Sequence, residues 1–280
     1  MSDILDYLAA LHDKGLKYRT INNYRSAISA RHELVDKVPI GQHPEVCQLL
    51  KVIYKEDPPV PKYCSTWDVS IVLNFLKDLP PNERLSMKGL TLKLATLLAI
   101  TSAHRGAELK LLKINRMNIH WTYIEFQFDE PLKTYKLGKT LPKTRFDTFE
   151  EDPLLCPTNC LTTYLKRTKD WRNKGKVVQL FLSHIAPHNP VSKPTIARWI
   201  KELLGDAGIN IQTYQAHSTR AAGTSKAKEL GLPLEDIVKQ GNWSNKSTFE
   251  KFYFKPIKDA THEFQISVLG QIGVDNTTLN

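Results

Sequence analysis

Ala216–Phe254 reads AHSTRAAGTSKAKELGLPLEDIVKQGNWSNKSTFEKFYF, and the rest of the chain takes its meaning from it. His217 and Arg220 stand three residues apart. One helical turn separates them, so both side chains fall on one face. A helix-like run follows, and after Pro233 comes a second. Trp243 precedes Tyr253 by ten residues, and Tyr253 sits among Phe249, Phe252 and Phe254. This is not the pattern of a metal site or of a serine nucleophile. It suits a place where arginine holds a phosphate and tyrosine attacks it.

Working outward, the most apolar run of the chain is LTLKLATLLAITSA (90–103). It predicts a buried central helix whose end delivers His104 and Arg105. Strand character follows in MNIHWTYIEFQFDE (117–130), where Ile124, Phe126 and Phe128 alternate with Glu125, Gln127 and Asp129. That period of two predicts a half-buried strand, and TRFDTFE (144–150) predicts its partner. Between them lies a Lys-rich hairpin, LKTYKLGKTLPK (132–143). Further helices are predicted at WDVSIVLNFLKDL (67–79), from Cys160 to Thr168, and at TIARWIKELL (195–204). Before them, residues 2–14, INNYRSAISARHELV (21–35) and Pro44–Tyr54 predict a short helical bundle with Arg19, Arg25 and Arg31 on its surface. The proline-rich KEDPPVPKY (55–63) reads as a stiff linker. The expected fold is therefore mainly α (α+β): an N-terminal bundle over 1–57, and a helical domain with a small antiparallel sheet over 62–280. The end of the chain carries one amphipathic piece, Phe264–Leu269.

The 280 residues carry 39 Lys and Arg against 29 Asp and Glu, a formal charge of +10. That excess suits a polyanion, with nucleic acid first. Four cysteines (Cys47, Cys64, Cys156, Cys160) make no disulfide framework in a chain of this length. The opening MSDILDYLAALHDKG has acids where a signal peptide has basic residues, and no window approaches eighteen uninterrupted apolar residues. A reducing compartment and no membrane span are expected.

Breaking a phosphodiester builds negative charge on a five-coordinate phosphorus. Metals meet that charge in most nucleases, but the chain has no DxD and no HExxH. Arginine is the alternative, because its planar fork meets two phosphate oxygens and stays protonated. Arg105 and Arg220 are the two candidates. A tyrosine hydroxyl can form a covalent phosphoester that conserves the bond energy, and a lysine with cationic neighbours can protonate the leaving oxygen.

At these residues the chain resembles the tyrosine recombinase (phage integrase) family. SAHRGAELKLL looks like its first box and supplies Arg105 and Glu108; His217 and Arg220 match the His-x-x-Arg box. Trp243 stands where the family has His or Trp, and Tyr253 matches its nucleophile. In the hairpin, Lys133 fits the family's lysine best, with Lys136, Lys139 and Lys143 as alternatives. GLKYRTINNYRSAISA, VPIGQHPEVCQLLK, TWDVSIVLNFL, AHSTRAAGTSKA and NWSNKSTFEKFYFKP are most similar to recombinases of DIRS- and Ngaro-type retroelements. The resemblance implies attack by Tyr253, giving a 3′-phosphotyrosine and a free 5′-hydroxyl. Arg105 and Arg220 would bind the non-bridging oxygens, His217 would move the proton of the nucleophile, and Lys133 would protonate the leaving oxygen. Trp243 would support the phosphate through its indole N–H, and Glu108 would orient its neighbours. Double-stranded DNA is the implied partner, a homotetramer the implied assembly, and the nucleus the compartment in a eukaryote, otherwise the cytoplasm; no cofactor and no metal are implied. Such proteins usually have one more helix in the N-terminal DNA clamp, so that domain is expected to be shortened.

Each residue also has a plainer reading. Tyr253 and Trp243 could be core aromatics, Arg105 could cap the last carbonyls of the apolar helix, and His217 could be structural. Cys156-x3-Cys160 and His184-x3-His188 can be written as a zinc set, but the gap between the pairs is unlike a finger. The competing functions are a DNA-binding protein that has lost catalysis, a type IB topoisomerase-like relaxing activity, and a helical protein-interaction module.

Overall fold

A computed structural model describes residues 1–59, 63–133, 135, 138, 140–241, 243, 249–250, 253–255 and 257. The chain divides into two compact units, Met1–Lys62 and Tyr63–Asn280.

The first unit is built on α1 (Ser2–Asp13), α2 (Tyr18–Ser29) and α3 (Pro44–Glu56). Leu8, Ile21, Val46, Leu50 and Ile53 are buried together with Ile40 from the connection. The helix expected over 21–35 starts earlier and stops at Ser29. After it, Asp36 and Lys37 both adopt positive φ, and Val35 and Val38 bridge across them. Two successive left-handed residues form the kind of tight reversal that joins antiparallel strands, so the chain turns where apolar spacing alone would continue the helix.

The second unit is organised around α5 (Met87–Ser102), which Ser86 caps by accepting a hydrogen bond from Gly89 N–H. Twelve of its sixteen residues are buried, as expected of a helix that is apolar on every side. Around it pack α7 (Pro157–Arg167), α8 (Lys193–Asp206), α9 (Ser218–Glu229) and the sheet. α4 (Val69–Asp78), capped by Asp68, meets α9. The α5–α9 contact depends on Gly223: a Cβ there would lie 2.7 Å from the carbonyl oxygen of Ile100. No larger residue fits without moving one helix. Lys93, on α5, is fully buried, and its amine has no hydrogen-bond partner among the described residues. Burial holds its pKa below the usual lysine value.

The sheet has three antiparallel strands where two were expected: β1 (Met117–Ile119), β2 (Tyr123–Gln127) and β3 (Lys143–Asp147). The run 117–130 bends at His120–Thr122, so its first part pairs back on its second, with Ile119 opposite Ile124. Ile124 also faces Phe146 on β3, and both are buried with Phe126. The Lys-rich hairpin joins β2 to β3. α6 (Gly106–Lys110) and α10 (Leu234–Gln240) complete the described elements of this unit apart from short 3-10 turns. The fold is mainly helical with a small antiparallel sheet. Among the described residues no helix is long and apolar enough to cross a membrane. The amphipathic piece Phe264–Leu269 lies outside the described residues.

Candidate active site

α5 ends at Ala103, which takes a left-handed conformation (φ 53°). That conformation turns the chain out of the helix at once, so His104 and Arg105 emerge at its end and α6 begins behind them. Glu108, in the first turn of α6, accepts from the backbone N–H of Arg105 (2.8 Å) and from its guanidinium Nη1 (2.7 Å). The same carboxylate lies 3.2 Å from Nδ1 of His104 and 3.7 Å from Nη1 of Arg220. Burial alone would raise the Glu108 pKa, but the bond and charge of His104, with the backbone and guanidinium of Arg105, hold it down at about 2. One ionised carboxylate thus faces three basic side chains.

His217 and Arg220 come from the start of α9. The register is held by Trp67, whose buried Nε1–H donates to Ser218 Oγ at 2.9 Å. Arg220 is fully buried. Its Nη1 donates to the carbonyl of Ala103 at 2.7 Å, its Nη2 donates to the carbonyl of Gly241, and its Nε has no partner among the described residues. It is therefore Arg220, rather than Arg105, that takes a carbonyl at the end of α5. The Trp243 ring covers the guanidinium, with its centroid 3.8 Å from Cζ; Tyr253 lies 5.1 Å above the same atom. Desolvation and the nearby charge of Arg105 pull the Arg220 pKa down to about 10, which leaves it a cation at neutral pH.

Tyr253 arrives packed at 4.8 Å on Trp243, which also meets Phe249 at 5.0 Å. Its hydroxyl is 3.4 Å from Nε2 of His217. Desolvation, then the charges of Arg220 and Arg105, lower the His217 pKa from 6.5 to about 4. The ring keeps an exposed edge, so water screens part of that shift; its direction leaves the imidazole neutral at pH 7 and able to accept a proton. The backbone of Tyr253 is tied to α9: buried Ser225 donates to the Tyr253 carbonyl (3.4 Å) and accepts from Lys255 N–H (3.1 Å).

Arg105, Glu108, Lys133, His217 and Tyr253 line one cleft of about 410 Å³, together with Lys193 from the start of α8. Arg220 and Trp243 form its underlayer and do not reach its wall. Among the other hairpin lysines, Lys143 pairs with Glu125 at 2.7 Å on β3; Lys136 and Lys139 lie outside the described residues. Lys193 and Ser225 carry no signal in the sequence, since only the packing of α8 and α9 brings them here. No group of three or more His, Cys, Asp or Glu among the described residues is placed to hold a metal ion. The zinc set falls to other tasks: Cys160 is fully buried, its thiol pushed up to about 12 by desolvation, and His188 stacks on Trp171 at 3.7 Å.

A helical domain with this small sheet, joining a tyrosine to two arginines and a histidine, has the architecture of the tyrosine recombinases. Residues 72–258 match the model of the phage integrase family, and the chain belongs to that family. Among solved structures, the integrase of transposon Tn1549 in complex with transposon right-end DNA is similar at a TM-score of 0.58 and 15% identity, covering 98% of this chain and 85% of that one. The XerH site-specific recombinase bound to a palindromic difH substrate is similar at a TM-score of 0.55 and 14% identity, covering 98% and 71%. At these identities the likeness is one of fold. No curated protein matches the chain in sequence.

Proposed function

We propose that this protein cleaves and rejoins DNA strands through Tyr253. The observation that carries the reading is the hydroxyl of Tyr253 at 3.4 Å from Nε2 of His217, with the Tyr253 ring centroid 5.1 Å from Cζ of the buried Arg220. In the proposed step the Tyr253 oxygen attacks phosphorus and its proton passes to His217 Nε2. The bond from phosphorus to the 5′ oxygen breaks, and Lys133 protonates that oxygen. The product is a 3′-phosphotyrosine and a free 5′-hydroxyl; attack by a 5′-hydroxyl of another strand reverses the step and joins the ends. Arg105 meets the non-bridging oxygens from the cleft wall. Arg220 supplies charge from beneath. Glu108 orients both guanidiniums. The charge comes from these side chains, so the step needs no metal.

The relatives' DNA complexes support duplex DNA as the substrate. The first unit serves as a clamp, and the working assembly is a tetramer, in the nucleus if the source is a eukaryote and otherwise in the cytoplasm. The motifs of DIRS- and Ngaro-type elements support a retroelement origin. One observation favours a second reading, a DNA-binding protein without catalysis: Arg220 is closed off under Trp243.

Nicked duplexes cut from DNA flanking the coding sequence distinguish the two. Strand cleavage next to the nick releases a short fragment and traps the protein on DNA. Wild type is expected to give a denaturation-resistant protein–DNA band, undiminished by EDTA, and Tyr253→Phe none. A band that persists in Tyr253→Phe sinks the nucleophile, and salt-sensitive binding with no band from wild type leaves the second reading.

A further inference from the structure

The cations that line the cleft are not equally free to meet a phosphate. Arg105 is bonded to Glu108, and Arg220 lies below the wall with its guanidinium bonded to two carbonyls and covered by an indole. Lys133 and Lys193 are the two exposed lysines of the wall, and neither has a carboxylate partner among the described residues. By contrast Lys88, Lys113, Lys143 and Lys226 each hold an acid within 3.1 Å. Lys193 Cγ lies 3.8 Å from where a Cβ on Gly106 would stand, so the lysine stem runs beside the residue that follows Arg105. Its charge reaches His217, where it adds to the depression of the imidazole pKa. Glu108, the one carboxylate in the cleft lining, is already bonded to Arg105 and faces His104 and Arg220, so the Lys193 ammonium is left for an anion from outside the protein.

We propose that Lys193 is a DNA-contacting residue of this cleft, its ammonium donating to a non-bridging oxygen of a backbone phosphate held there with Arg105 and Lys133. This rests on the reading that the cleft takes DNA. The contact is to the backbone, so it adds affinity without reading sequence.

The test uses the full chain and a short duplex of arbitrary sequence, with binding followed by fluorescence anisotropy from about 50 to 200 mM KCl. Loss of one phosphate contact makes the slope of log K against log salt shallower by about 0.9. Lys193→Gln is expected to show that change with a several-fold weaker affinity at low salt, and Lys193→Arg to restore the wild-type slope. Lysine acetylation read by mass spectrometry is expected to show Lys193 protected by the duplex. A wild-type slope in Lys193→Gln, or full acetylation of Lys193 on saturating duplex, overturns the proposal while the proposed function stands. Absence of salt-dependent binding by wild type overturns both.

Discussion

Lowering the pKa of His217 from 6.5 to about 4 has a consequence for stability as well as for chemistry. Between those values the unfolded chain binds a proton that the folded chain refuses. Protonation there favours unfolding, so the neutral ring's contribution is complete above pH 6.5 and is lost as pH falls toward about 4. Glu108 acts lower down: its carboxyl is held at about 2 against 4.5, so its contribution is lost only between those values. Replacing His217 by Gln removes the upper window alone. Denaturant midpoints measured from pH 7 to pH 4.5 are expected to fall further for wild type than for His217→Gln. Parallel curves would mean that the imidazole titrates normally in the fold. Lys193 and Ser225 went unread in the sequence because a lysine before a proline and a serine within a helix are ordinary on their own. Their meaning is spatial, and it comes from the first turn of α8 lying against Gly106 and from the segment at Tyr253 lying along α9.

Among the elements, the crossing of α5 and α9 is the joint that brings Arg105 to Arg220. The closest approach is at Gly223, where an added methyl would meet the Ile100 carbonyl at 2.7 Å. Gly223→Ala forces the helices apart and is expected to destabilise the protein by about 1–3 kcal/mol, read as a lowered denaturant midpoint, despite alanine's better helix propensity. A midpoint at or above wild type would show that the helices part without strain. α5 was legible in sequence because its apolar character is continuous, and β2 because Ile124, Phe126 and Phe128 alternate. α6 was not, since five residues are too few to show a period and its reason for forming is the Glu108 bond back to Arg105. β1 was hidden because the reversal at His120–Thr122 has no glycine or proline to mark it. For a related reason α2 read too long: Val35, counted with the helix, bridges to Val38 across a turn at Asp36 and Lys37 that no glycine or proline marks.

At the scale of the molecule, the two units each have their own buried core, and the excess of ten positive charges belongs to the chain as a whole. The order of the candidate site residues in sequence does not show their assembly. Arg105 and Glu108 precede His217 by more than a hundred residues, and what joins them is the crossing of α5 and α9. The motif spacing named the candidate residues; burial divides them between wall and underlayer. That division placed Arg220 and Trp243 below the cleft, which motif spacing alone does not show.

The clasp of Ser225 on the Tyr253 carbonyl and the Lys255 N–H bears on whether copies of the protein could exchange their tyrosines. On the proposed function, a segment fastened to the helix that carries His217 and Arg220 is expected to make each copy use its own tyrosine. Two defective copies then cannot repair one another. A mixture of Tyr253→Phe with Arg105→Ala is expected to give no more covalent product than either alone, whereas a tyrosine lent between copies would rebuild an intact centre. Inherited together, two such lesions would behave as a full loss rather than as a partial rescue.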